Sequence, residues 1–102
     1  MRIPILIVAS LFCGAVSAQS SADALYARAN AATCANCHGT DGQSVAVEYG
    51  LKRLAGMEKA YIVEQLTAFR EGKRPATIMH QLVKGYTPAQ IDAIAAYFAA
   101  QK

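Results

Sequence analysis

The 102-residue chain has little of what an ordinary small domain is built from. No stretch alternates apolar and polar residues, which excludes a half-buried sheet. Lysine and arginine form no run, and a formal charge of +3 is too mild for a nucleic-acid-binding protein. There is no internal repeat, low-complexity tract or linker, and the length leaves no room for a second domain. No nucleophile with its base, no acid–base pair and no phosphate-cradling loop stands out, so the chain is not a catalyst on its own. The longest apolar run, from Ile3 to Cys13, is too short to span a bilayer.

That run follows the positive charge of Arg2 and gives way to the small residues Val16-Ser17-Ala18 before Gln19. This is the three-part layout of a secretory signal peptide cleaved after Ala18. The expectation is a removed segment 1–18 and one exported, periplasmic domain, 19–102, with no membrane insertion afterwards. A buried helix or short anchor is the alternative, but Pro4 and Gly14 bracket the run badly for either. Cys13 would be a lipidation site only after a small residue; Phe12 precedes it, so Cys13 is expected to leave with the signal. The remaining chain keeps two cysteines, Cys34 and Cys37. It holds only 15 Leu, Ile, Val and Phe residues against 18 alanines. So few large side chains make a thin core, and small scaffolds of this kind need disulfides, a metal or a buried cofactor.

Three helices are expected. The first runs from about Ala22 to Thr33, capped by Ser20 or Ser21, with Asp23 in its first turn and the small-residue face Leu25, Tyr26, Ala29 and Ala32. The second spans about Glu58 to Glu71, with Ile62, Leu66 and Phe69 in one stripe, Val63 widening it and Gly72 as its stop. The third opens at Thr87-Pro88-Ala89-Gln90, a threonine cap with proline first and glutamine third, and carries the stripe Ile91, Ile94, Ala95 and Phe98. A short helical turn fits between Met79 and Lys84. The segments 39–56 and 73–78 read as loops. The fold class is all-α, with long loops that must wrap something.

Cys34-Ala35-Asn36-Cys37-His38 has the spacing of c-type haem attachment. At a helix end, two cysteines three apart face one side, where each can form a thioether to a haem vinyl group. The histidine after the second cysteine then lies under the porphyrin and ligates the iron. Gly39-Thr40-Asp41-Gly42 lets the backbone turn away. A zinc knuckle would need a second cysteine pair, and His80 lies far outside finger spacing. A thioredoxin-like site would need βαβ patterning, and a disulfide across three residues closes too small a loop to stabilise much. One covalent haem c is therefore expected.

With His38 on one side of the iron, the other axial position is Met, His or open. Met57, Met79 and His80 are the candidates. Met79 follows the second helix in a loop that can return over the opposite face. Met57 also reads as a gap-filler in a small core, and His80 as a surface neighbour. Adjacent residues in a helical turn point about 100° apart, so only one of Met79 and His80 can face the iron.

The signal peptide, the haem motif at a helix end, a methionine in the distal loop and an aromatic-bearing last helix resemble a class I cytochrome c across nearly all of residues 19–102. The implied fold is three main helices and loops around one covalent haem. Two stretches resemble more particularly the monohaem cytochrome subunit of flavocytochrome c sulfide dehydrogenase. These are the segment from Cys37 through His38-Gly39-Thr40-Asp41-Gly42 to Val45, and Ala76-Thr77-Ile78-Met79 continuing through Lys84-Gly85-Tyr86-Thr87 to Ala95-Ala96-Tyr97-Phe98. That resemblance makes Met79 the distal ligand. It implies a flavoprotein partner subunit, which carries FAD and oxidises sulfide, and a downstream redox protein as acceptor. Leu54-Ala55-Gly56, Phe69-Arg70 and Gly72-Lys73-Arg74 recur in dihaem and other small periplasmic carriers. The alternative is accordingly a free soluble electron carrier between respiratory complexes, docking through basic groups such as Lys52, Arg53 and Lys59, or Arg70, Lys73 and Arg74. A ligand-binding or peroxidase-like haem with an open distal site is a third reading. Many class I cytochromes orient the proximal histidine with a proline carbonyl, but no proline occurs between Gly39 and Arg74. A backbone carbonyl within 44–50 is expected to hold His38 instead. Tyr49, Arg53 and Tyr61 are candidate propionate partners.

Overall fold

Seven alanines between Ala22 and Ala35 give this segment a high helix propensity. In the computed structural model, which describes the backbone of residues 13–102 and the side chains from residue 21, this segment lies within one helix, α1 (Cys13–His38). The helix continues past Thr33, because Ala35 and Asn36 do not break it. Gly39, at φ +84°, is the first residue that does, and its N–H closes the last turn on the Ala35 carbonyl at 3.0 Å. The whole cysteine–histidine motif is therefore helical. The expected cleavage point after Ala18 falls inside α1, while the first part of the expected signal peptide lies outside the described residues.

Helices α2 (Lys59–Arg70), α3 (Met79–Val83) and α4 (Pro88–Ala99) follow, with 3₁₀ turns at Thr40–Gly42 and Val47–Tyr49. Among the described residues there is no strand, and the class is all-α. The start of α4 is the expected capping box: the Thr87 hydroxyl accepts from the Gln90 N–H at 3.2 Å, and the Gln90 side chain accepts from the Thr87 N–H at 2.9 Å. Gln90 also donates from its amide to the Tyr26 hydroxyl at 3.2 Å, fastening the cap to α1.

The core is as thin as the composition requires. Ala31 of α1, Ile62 of α2 and Ile94, Ala95 and Phe98 of α4 form its buried cluster, joined at the edge by Cys34, Leu54, Met57, Val63, Leu66, Tyr86 and Tyr97. Phe98 is the largest fully buried side chain. Alanines 31 and 95 allow α1 and α4 to approach closely.

Phe98 also fixes the loop after the motif. Gly42 stands at φ +75°, and a Cβ there would meet Phe98 Cδ1 at 2.8 Å and the Ala55 nitrogen at 2.9 Å. The same residue's carbonyl accepts from Leu54 N–H at 2.9 Å and Ala55 N–H at 3.1 Å, and Gly56 donates to the Phe98 carbonyl at 3.0 Å. Two distant loop segments are thus locked together against α4. Gly42→Ala combines an unfavourable φ with overpacking and is expected to cost about 2 kcal/mol or more. The denaturant midpoint of the haem-loaded protein measures it; an unchanged midpoint would mean that this joint is looser than it stands here.

Candidate functional site

The last turns of α1 carry Cys34 half-buried and Cys37 exposed, both free thiols. Burial pushes the Cys34 thiol above its ordinary value; its own backbone hydrogen bond opposes this, and Cys37 adds to it. His38 follows at the end of the helix. Its Nδ1 lies 2.6 Å from the Lys52 carbonyl oxygen. A carbonyl can only accept, so Nδ1 carries the proton, and the lone pair of the neutral ring is on Nε2. The acceptor is a backbone carbonyl, as expected, but it lies two residues beyond the 44–50 segment, because the Gly42–Leu54 joint brings residue 52 to the ring.

Cys34, Cys37, His38, Met57 and Met79 all line one cavity of about 430 Å³, within the roughly 300–1,000 Å³ usual for cofactor sites. Helix α2 gives it Tyr61, Ile62, Gln65, Leu66 and Phe69, a single face of the helix. Segment 74–78 and helix α3 add Ile78, Leu82 and Val83, and α4 contributes Ile91, Ile94 and Phe98. Two thiols, an imidazole whose Nε2 keeps its lone pair and two methionine thioethers thus share an apolar chamber. That donor set fits a thioether-linked haem, whose iron takes histidine and methionine as ligands. Among the described residues no group of three or more His, Cys, Asp and Glu gathers, so the zinc alternative gains no support.

Of the other candidates, Met57, Tyr49 and Tyr61 share the cavity wall, and His80 and Arg53 do not. His80 is not on the cavity wall; it is half-buried rather than a surface residue, with Nε2 donating to the Arg74 carbonyl at 2.5 Å. Met57 lines the cavity and also packs on the core cluster, the gap-filling place expected of it. Tyr49 and Tyr61 line the cavity and reach solvent, 80 % and 46 % exposed, whereas Arg53 is exposed and away from the wall. Most of the basic groups considered for docking are engaged within the chain. Arg70 donates to the Tyr86 carbonyl, Arg74 donates to Gln65 and lies over the Phe69 ring, Lys73 pairs with Glu71 at 2.7 Å and Lys59 with Asp92 at 3.1 Å.

With this geometry the comparisons with known proteins are direct. The family model "Cytochrome c" matches residues 23–102. The chain belongs to the cytochrome c family. Members of that family carry covalent haem c and transfer electrons. It is 45 % identical over 64 residues to cytochrome c-552 of Acidithiobacillus ferridurans, covering 63 % of this chain and 26 % of that one. It is 42 % identical over 66 residues to the cytochrome subunit of sulfide dehydrogenase of Chlorobaculum tepidum, covering 65 % and 57 %. A solved cytochrome c4 structure from Acidithiobacillus ferrooxidans superposes with a TM-score of 0.61 at 37 % identity, covering 79 % of this chain and 48 % of that one. This cytochrome thus spans from about a quarter to somewhat over half the length of those relatives.

One support of the site left no sequence signal. Asp41 is the only non-glycine residue with positive φ among those described, at +54°, and its carboxylate accepts from the Tyr97 hydroxyl. The turn after His38 is thereby tied to α4. That hydrogen bond, helped by burial and by the Asp41 charge, holds the Tyr97 proton above the usual tyrosine value, against a smaller opposing effect of Arg28. A raised native value means that the fold favours the protonated phenol. The stabilisation is fully present below the unfolded value near 10 and is lost as pH rises through the native one. Tyr97→Phe is expected to lower stability by about 1 kcal/mol at neutral pH. It should also lessen the loss of stability above that value, as read from urea titrations at several alkaline pH values. A variant with the parent's alkaline slope would exclude Tyr97 as its source.

Proposed function

We propose that this cytochrome is a periplasmic monohaem electron-transfer protein, made with a signal peptide of residues 1–18, that accepts electrons from a flavoprotein sulfide dehydrogenase. Cys34 and Cys37 would hold the haem through thioethers, with His38 and Met79 on the iron. His38 and Met79 line one cavity while His80 is turned to the Arg74 carbonyl, which supports Met79 over His80. Met57 lines the same cavity, and the choice of Met79 over it follows from the resemblance of the Ala76-Thr77-Ile78-Met79 stretch.

The haem supplies one reversible electron. The chain's own groups set how it does so. The Lys52 carbonyl keeps the proton on His38 Nδ1, which fixes the tautomer and strengthens Nε2 as a donor. A methionine thioether opposite it favours the reduced state relative to a second histidine, which suits an acceptor. The apolar walls from α2 and α4 keep water off the metal. Tyr49 and Tyr61, exposed at the cavity, are the places where a partner or the propionates would be met.

The sulfide reading is supported by the identity to the Chlorobaculum subunit. Met79→Ala is expected to keep the covalent haem, lose the methionine–iron charge-transfer band and lower the potential, whereas Met57→Ala keeps the band. The reverse pattern would move the ligand to Met57. Mild purification from the periplasm is expected to co-elute flavin with haem in fixed ratio, and sulfide should reduce that haem. A small haem-only species would instead identify a freely diffusing carrier.

A further inference from the structure

Met79 is the first residue of α3, a helix of five residues whose N-terminus has no side-chain cap. The strap leading to it, 74–78, also lines the cavity, and Ile78 is 55 % exposed. Backbone hydrogen bonds secure only its ends: Lys73 and Arg74 donate to the Ala68 carbonyl at 2.9 and 3.4 Å, and Gln81 and Leu82 donate to Ile78 at 3.0 and 3.2 Å. Something other than the backbone ladder must set where the strap lies.

Three side chains do this. The Arg74 guanidinium lies 4.7 Å from the Phe69 ring centroid and donates from Nη1 to Gln65 Oε1 at 2.5 Å, fixing the start of the strap to α2. The Arg74 carbonyl accepts from His80 Nε2 at 2.5 Å, so the first residue of the strap is bonded to the second residue of α3, the helix the strap leads into. The His80 imidazole packs on the same phenyl ring, centroids 6.1 Å apart and 57° inclined. Side chains of adjacent helical residues diverge by about 100°, so holding His80 toward Arg74 and Phe69 aims Met79 elsewhere, and it lines the cavity.

We propose that Arg74, Phe69 and His80 form a clasp that positions the Met79 thioether, with His80 a positioning residue acting through the Arg74 carbonyl. The inference rests on the reading of Met79 as the distal ligand. The clasp opposes the strap's swinging away, and so opposes replacement of the thioether by an external ligand.

The test uses the haem-loaded protein and titrates it with imidazole, following the methionine–iron charge-transfer band, with a urea titration of each variant alongside. His80→Ala removes the donor, and its half-displacement concentration is expected to fall about fivefold, the worth of one ordinary hydrogen bond. His80→Gln, which can donate an amide N–H to the same carbonyl, is expected to recover most of the difference. Arg74→Gln should weaken the band's resistance in the same direction, by releasing the strap's other end. A parent-like imidazole titration for His80→Ala and Arg74→Gln would overturn the clasp. So would a failure of His80→Gln to rescue, since it would show that only packing had been lost. Met79→Ala separates the two levels: a band that survives it overturns the ligand reading and the clasp with it, whereas a lost band with unshifted His80 variants overturns the clasp alone.

Discussion

Everything in this structure follows from burying too little of itself. Among the described residues seven apolar side chains are buried, two of them alanines, and a domain of this size stabilised by that alone would be marginal. The helices therefore do not enclose a core and then add a site. Ile62, Ile94 and Phe98 belong to the core cluster and also line the cavity, so one set of side chains is both. A haem in the chamber would complete the apolar interior and, by binding the folded chain, stabilise it.

The two sides of the chamber are held by different means. On the histidine side the backbone does the work. Gly42 closes against Leu54, Ala55 and Phe98, and as a result the Lys52 carbonyl reaches His38. On the methionine side the backbone is sparsely bonded, and side chains from α2 and α3 secure it. With fewer backbone hydrogen bonds, the strap before Met79 is expected to open at a lower free energy than the turn after His38.

The helices were legible in the sequence because their signals are local. Alanine content, the Thr87–Gln90 box and the stripe ending at Phe98 each lie within a few residues of one another. The end of α1 was misplaced by five residues. Thr33 and the cysteine motif look like a stop, but nothing before Gly39 breaks the helix. The haem motif was legible for the same reason of adjacency. Its supports were not. Lys52, Asp41 and Tyr97 act across separations of fourteen and fifty-six residues, through a carbonyl and a single hydrogen bond that leave no periodic pattern. In the sequence His80 reads as a surface neighbour, because nothing in the string shows that the Arg74 carbonyl meets it. Likewise Arg70 and Arg74 read as surface charge, although both are committed to neighbours.

The partner of His38 is a main-chain oxygen, and that separates two jobs at position 52. The carbonyl orients the His38 ring whatever side chain the residue carries, while the lysine side chain is exposed. Charge at the protein surface can therefore be rewritten there, to suit one redox partner or another, without retuning the ligand beneath. A side-chain acceptor would have tied the two together; here recognition can drift while the electronic setting of the metal stays where it is.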